Sequence, residues 1–166
     1  MKETINQLSR LKYSNRGGYK APHKAIYLLS IIDMIEEGVI NDRRFHIMPA
    51  LINRFEHNWK RYVGNSQYFI CNIWNPINYM EQDVVYRKFK AGQENIKPAN
   101  IERSKEVYEY FEIPSKLWCL LQDEKSKDDI RQLLINTYII NNKTKSSFAL
   151  RQLTPWIINM LYLVAI

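Results

Sequence analysis

The feature that most constrains the fold is a run between Ala21 and Gly38 that is apolar on more than one side. Pro22 suits the first position of a helix, and Gly38 suits the C-terminal cap. The apolar side chains between them are Ile26, Leu28, Leu29, Ile31, Ile32 and Ile35. A helix that is apolar around most of its circumference is normally buried, so we predict that it runs through the core.

Apolar periodicity predicts further helices. The clearest begins at Met48-Pro49 and ends at Tyr62, and one apolar stripe runs along it: Leu51, Ile52, Phe55, Trp59 and Tyr62. Ser126, followed three residues later by Asp129, predicts the N-cap of another helix that extends to Ile140. Weaker patterns predict three more helices, at 3–11, 100–112 and 115–122.

Extended structure is expected in only a small part of the chain. Gln67–Trp74 is rich in aromatic and β-branched residues and predicts a strand, with Val84–Phe89 as its partner. Residues 39–47 are also expected to be extended. The predicted fold class is therefore predominantly α (α+β): a helical domain with one small antiparallel β-sheet or hairpin.

The length of 166 residues fits one main domain, which we place at residues 1–142. Residues 143–166 are expected to form a linker and an apolar C-terminal helix that starts at Thr154-Pro155. This apolar segment is too short to cross a bilayer. We therefore expect it to pack on its own domain or on a partner, and a second copy of the chain is one such partner.

Basic charge is concentrated in the first half of the chain. The net charge is +7, with +5 in residues 1–24, +4 in residues 43–62 and −2 in residues 98–142. This asymmetry suggests a face directed at a polyanion, and a general solubility charge is the alternative. Cys71 and Cys119 have no metal-ligand spacing, and Met1–Arg10 is polar and mixed in charge. These features indicate a cytoplasmic protein with no membrane partner.

The start of the long helix conflicts with a local electrostatic rule. The first turn of a helix favours anions, yet Lys20, His23 and Lys24 stand there, with Arg16 and Lys12 just upstream. A bound phosphate would resolve the conflict, because a helix N-terminus and cations together bind anions. The alternative is that these side chains extend into water and His23 bonds to the backbone.

Two other groups are weaker candidates for contact with DNA. Arg54, His57 and Arg61 lie on the outer face of the second helix, where a solvated surface is the competing interpretation. Tyr68 and Phe69 could stack on a base or sugar, although aromatic residues in a strand more often pack in the core.

Motifs that would indicate catalysis are missing from the sequence. It contains no phosphate-binding GxxxxGK[ST] loop, no GxGxxG, no HExxH and no CxxC. His23, His46 and His57 fall in three different predicted elements, without the spacing of metal ligands. We therefore expect no catalytic residue, no metal site and no cofactor.

Ala21-Pro22-His23-Lys24, followed by an apolar helix that ends in Ile31–Gly38 (IIDMIEEG), carries a resemblance to a known family. The sequence resembles the N-terminal DNA-recognition domain of bacterial HNH restriction endonucleases, related to the sulfur-binding domain that recognises phosphorothioate DNA. The similarity extends through Pro49–Trp59 to a closing pattern at Leu120–Asp123 and Arg131–Tyr138. It spans roughly residues 5–140, and its helix start is the most specific part.

The resemblance implies a recognition module of a restriction or defence system that binds double-stranded DNA. It implies that His23 and Lys24 contact the DNA backbone, and that Tyr68 and Phe69 line an apolar pocket for sulfur. Phe69 stands where the family has proline, and Ile73–Tyr79 lacks the family's Gly-Phe-Trp turn. Backbone binding is therefore implied more strongly than selectivity for sulfur.

The nuclease half of the family is not expected in this chain. An HNH site needs several His and Asn residues to hold a metal and activate water, and no histidine follows His57. We expect the module to act alone or with a separate nuclease subunit. The competing function is a protein-interaction or dimerisation module that uses the apolar C-terminal tail. The expected DNA-binding residues are Arg16, Lys20, His23, Lys24, Arg54, Arg61, Tyr68 and Phe69.

Overall fold

The computed structural model describes residues 2–82 and 84–140, and it has the mostly helical α+β fold that was predicted. The predicted linker and C-terminal helix at 143–166 lie outside the described residues. The helices are α1 (Lys2–Ser9), α2 (His23–Glu36), α3 (Pro49–Tyr62), α4 (Trp74–Tyr79), α5 (Ile101–Val107), α6 (Ser115–Gln122) and α7 (Glu124–Ile135). The strands are β1 (Asn15–Arg16), β2 (Tyr19–Lys20), β3 (Arg44–Phe45), β4 (Tyr86–Phe89) and β5 (Tyr108–Glu112).

The predicted central helix is present as α2, and ten of its 14 residues are buried. It packs against α3, α4 and α7, so its apolar side chains meet neighbours on several sides. The helix begins at His23, one residue later than predicted, with Pro22 at the N-cap. Gly38 has φ +69° and follows the C-terminus, where its N–H donates to the carbonyl of Ile35 at 3.0 Å.

Helix α3, which was predicted from Met48-Pro49 to Tyr62, runs antiparallel to α2. Its predicted apolar stripe faces the core, because Leu51, Phe55 and Trp59 are buried. Trp59 near its C-terminus contacts His23 at the start of α2. Arg54, nearer the other end, forms an ion pair with Glu37 just after α2. One end of this helix pair therefore carries His23, and the opposite end carries Arg54.

The strand predicted at 67–74 is wrong. Residues 67–73 form an irregular loop, and Trp74 begins α4. The hydroxyl of Ser66 accepts the backbone N–H groups of Tyr68 at 3.3 Å and Phe69 at 3.2 Å. This side-chain acceptor replaces the carbonyls that a neighbouring strand would supply. Strand β4 pairs instead with β5, in an antiparallel sheet of order β3-β5-β4.

Two helix boundaries also differ from the prediction. The helix expected at 100–112 ends at Val107, and Tyr108 begins the central strand of the three-stranded sheet. The last helix is capped by Asp123 instead of Ser126, because the carboxylate of Asp123 accepts the N–H of Ser126 at 2.9 Å. It continues to Ile140 as a π-helical turn. Within the described ranges, no helix is long and apolar enough to span a membrane.

Candidate nucleic-acid interface

An open cavity of about 670 Å³ lies at the start of α2, and we call it the α2 cavity. Four segments form its wall: residues 12–16, the first turn of α2, the loop 68–72 and helix α4. The cations on the wall are Lys12, Arg16 and Lys24. No carboxylate is present among its described lining residues, so the wall favours an anion.

The hairpin β1–β2 brings Arg16 to the cavity. The two strands pair through Gly17 and Gly18, which have φ values of +59° and +83° and therefore suit a tight two-residue turn. The ring of Tyr19 stacks on the ring of Tyr68, with centroids 4.7 Å apart. A Cβ atom at Gly17 would lie 2.7 Å from Cε1 of Tyr68, so the hairpin rests directly on this ring.

His23 is buried and joins α2 to the loop. Its Nε2 lies 2.8 Å from the carbonyl oxygen of Ile70, and its ring lies 4.7 Å from the ring of Trp59. A carbonyl can only accept, so Nε2 carries the proton and donates. Burial lowers the pKa of His23, and the charge of Arg16 lowers it further, while the bond to Ile70 opposes them. At neutral pH the ring is therefore neutral, and its Nδ1 can only accept.

We expect His23 to make stability depend on pH. Its pKa is lowered on folding, so the unfolded chain binds the proton more readily. The contribution is fully present above the ordinary histidine pKa of about 6.5 and is lost as the pH falls through the folded value. Urea unfolding at neutral and acidic pH should show a smaller loss of stability for His23→Gln than for the parent chain. Equal losses in the two proteins would contradict this role of His23.

The lysines expected at the helix start have protein partners. The ammonium of Lys24 lies 2.6 and 2.7 Å from the two carboxylate oxygens of Glu81, so its charge is largely compensated. The ammonium of Lys20 lies 3.4 Å from the carbonyl oxygen of Thr137 and 5.3 Å from the ring centroid of Tyr13. Lys20 is thus directed towards the C-terminal end of α7 and is not among the lining residues of the α2 cavity.

Lys12 and Arg16 are the exposed cations of the α2 cavity. Neither forms an ion pair with any residue in the part of the chain that the structure describes. Their positive charges are therefore available to an external anion. Lys12 was not predicted as a DNA-binding residue, because nothing local distinguishes it from other surface lysines.

The structure brings together five of the eight expected residues: Arg16, His23, Lys24, Tyr68 and Phe69 all line the α2 cavity. Arg54 lies at the other end of α2, paired with Glu37. Arg61 lies over the ring of Tyr62, which lines a second cavity of about 460 Å³. Tyr68 and Phe69 line both cavities and form the wall between them.

Several lining residues were missed by the sequence analysis. Ile70 is 82% exposed and stands at the edge of the α2 cavity. Asn72, Asn75 and Tyr79 line the same cavity and are exposed. The predicted strand obscured Ile70 and Asn72, because it implied that alternate side chains between 67 and 74 point into a core. Helix α4, which carries Asn75 and Tyr79, was not predicted.

Metal chemistry has no candidate site in residues 2–82 and 84–140, where no group of three or more His, Cys, Asp or Glu side chains could hold an ion. No protein-family model matches the chain, and no curated protein matches it.

Proposed function

We propose that this chain is a DNA-binding recognition module of a cytoplasmic restriction or defence system. The observation that carries the proposal is the pair of exposed cations, Lys12 and Arg16, on the wall of the α2 cavity. The resemblance at Ala21–Gly38 supports the same function, since it assigns DNA contact to this helix start.

The chemistry of the α2 cavity suits a nucleic acid better than a small inorganic anion. Cations that neutralise phosphates supply most of the non-specific affinity for DNA. Aromatic rings and side-chain amides, which contact bases and sugars, form much of the remaining wall: Tyr13, Tyr68, Phe69, Asn72, Asn75 and Tyr79. A free phosphate would use only the cations.

A modified backbone falls within this proposal. Tyr68 and Phe69 provide an apolar surface in the same cavity as Arg16. Sulfur is less strongly hydrated than oxygen, so a phosphorothioate could place its sulfur on this surface while the cation contacts its charge. His23 is neutral and its Nε2–H is already used by Ile70. We therefore assign the backbone contact to Arg16 and Lys12 in place of His23.

The two native cysteines provide a direct test of the proposed face. Cys71 is exposed between Ile70 and Asn72, which line the α2 cavity, although it is not itself a lining residue. Cys119 is exposed on α6, which contributes to neither cavity. A bound duplex should slow alkylation of Cys71 by more than about tenfold at low salt, where phosphate contacts are strong. Partial desolvation and the nearby charge of Glu56 raise the pKa of the Cys71 thiol, so the reaction is best followed at mildly alkaline pH.

Cys119 is the internal control in this experiment, because its alkylation rate should not change. The protection of Cys71 should also decrease steeply as salt is added, since released counterions drive the binding. Protection of Cys119 without protection of Cys71 would place the DNA on another face. Unchanged rates at both thiols at DNA concentrations that saturate binding would also exclude the α2 cavity.

A further inference from the structure

We propose that this chain opens the base stack of the DNA that it binds: Ile70 enters between two base pairs, and the α2 cavity receives the displaced base. This inference rests on the proposed function and adds what the cavity recognises. The observations that carry it are an isolated exposed apolar side chain, the loop that fixes its backbone, and the composition of the cavity next to it.

Ile70 has the properties of a wedge. Its side chain is 82% exposed, although burial is the normal state of an isoleucine. Its backbone carbonyl is held by the buried ring of His23 at 2.8 Å, and the preceding N–H groups of Tyr68 and Phe69 are held by Ser66. Proteins that kink DNA insert apolar side chains of this kind between base steps.

The α2 cavity has the size and the surfaces that a displaced base requires. Its volume of about 670 Å³ falls inside the range of roughly 300–1,000 Å³ that is typical of small-ligand sites. Tyr13 and Tyr79 have exposed rings. The ammonium groups of Lys20 and Lys97 lie over one face of each, 5.3 and 4.4 Å from the ring centroids, so a base can stack on the opposite face. The oxygen of Asn72 accepts the N–H of Trp74 at 2.9 Å, which leaves its amide NH₂ as a donor for a base edge. The exposed amide of Asn75 lines the same cavity and offers a second donor and acceptor for the base.

The hydrogen-bonding state of His23 indicates that the group bound next to it is a base and not a phosphate. Its Nε2–H is used by Ile70, and burial keeps the ring neutral, so only the acceptor Nδ1 remains. A phosphate oxygen is itself an acceptor and gains no hydrogen bond from this nitrogen. An amino or imino N–H of a base can donate to it.

Opening a paired base costs free energy that an unpaired base does not require. We therefore expect the chain to bind a short duplex with one bulged adenine at least about tenfold more tightly than the same duplex fully paired. Ile70→Ala and Asn75→Ala should each reduce this ratio to below about threefold. Ile70 and Asn75 are exposed, so both variants should fold like the parent chain.

Val39→Ala is the matched control, because Val39 is also an exposed apolar residue but follows the far end of α2. It should keep the full preference for the bulged duplex. Equal affinity for the bulged and the paired duplex would overturn this inference and leave the proposed function standing. A preference that persists in Ile70→Ala and Asn75→Ala would also overturn it. Failure to bind either duplex at low salt would overturn both proposals.

Discussion

Changing Lys12 and Arg16 together to glutamate should weaken binding to a DNA duplex by more than about tenfold at low salt. Both side chains are exposed cations of the α2 cavity, and neither is paired with another described residue. Each lost phosphate contact should also reduce the slope of log affinity against log salt by roughly 0.9. Fluorescence anisotropy of a labelled duplex at several salt concentrations measures both quantities.

A matched variant separates local contact from overall charge. Lys88→Glu with Lys105→Glu changes the net charge by the same amount, but these exposed lysines lie on β4 and α5, outside the α2 cavity. This control should retain most of the affinity and most of the salt slope. If the two double variants lose affinity equally, the chain binds DNA through its total charge and the α2 cavity is not the site.

Asp33→Ala should lower the free energy of unfolding by about 3 kcal/mol, the scale expected when one partner of a buried ion pair is removed. One carboxylate oxygen of Asp33 lies 2.6 Å from the guanidinium of Arg131, and the other lies 2.7 Å from the amide nitrogen of Asn58. The side chains of Asp33 and Arg131 are only 15% and 17% exposed. The substitution leaves the amide of Asn58 and one guanidinium nitrogen of Arg131 without this acceptor in a poorly solvated position, and it removes one polar link from α2 to α3 and one to α7.

The control for Asp33 lies on the surface of the same helix pair. Glu37 pairs with Arg54, and their side chains are 44% and 28% exposed. Glu37→Gln should cost less than about 0.5 kcal/mol, because exposed ion pairs contribute little. Urea denaturation of the two variants provides the comparison. Equal and small effects would show that the contacts of Asp33 with Arg131 and Asn58 are no more stabilising than a surface ion pair.

Asp33, Glu36, Asn58 and Arg131 form a polar cluster that links two separate parts of the sequence pattern. Asp33 lies within the apolar helix, and Arg131 lies 98 residues later in the closing pattern that the sequence analysis matched separately. The structure joins them directly, and Glu36 accepts a second bond from Arg131 at 2.7 Å. These polar residues of the two patterns therefore connect α2 to α7, and their role is distinct from the α2 cavity at the other end of α2.

Local signals predicted the helices well, because apolar periodicity depends only on neighbouring residues. Helix α2, α3 and α6 begin and end within about two residues of their predicted positions, the usual uncertainty of helix boundaries. Strands β3 and β4 lie within the segments 39–47 and 84–89 that were predicted to be extended, but their partner β5 was predicted as helix, because pairing depends on distant residues. No local signal near Tyr108 indicates that this segment forms strand β5, the central strand between β3 and β4.

The candidate site was also predicted only in part, because some of its contacts are local in sequence and others are not. Arg16, His23 and Lys24 are neighbours in sequence, so their proximity to one helix start could be predicted. The partner of Lys24 could not, because Glu81 lies 57 residues away and reaches it only through the packing of α4 against α2. The exposure of Ile70 was hidden for the same reason, since it depends on the long-range bond from His23.

The contact between Gly17 and Tyr68 has a consequence for how such chains can diverge. Any side chain at position 17 would meet the ring of Tyr68, and the backbone there has φ +59°. Gly17 is therefore constrained twice, by the ring of Tyr68 and by its own φ; a smaller residue at 68 would relieve only the first constraint and would remove the surface on which Tyr19 stacks. In a randomised library selected for DNA binding, glycine should persist at position 17, and positions 19 and 68, whose rings stack although they lie 49 residues apart in the chain, should change together.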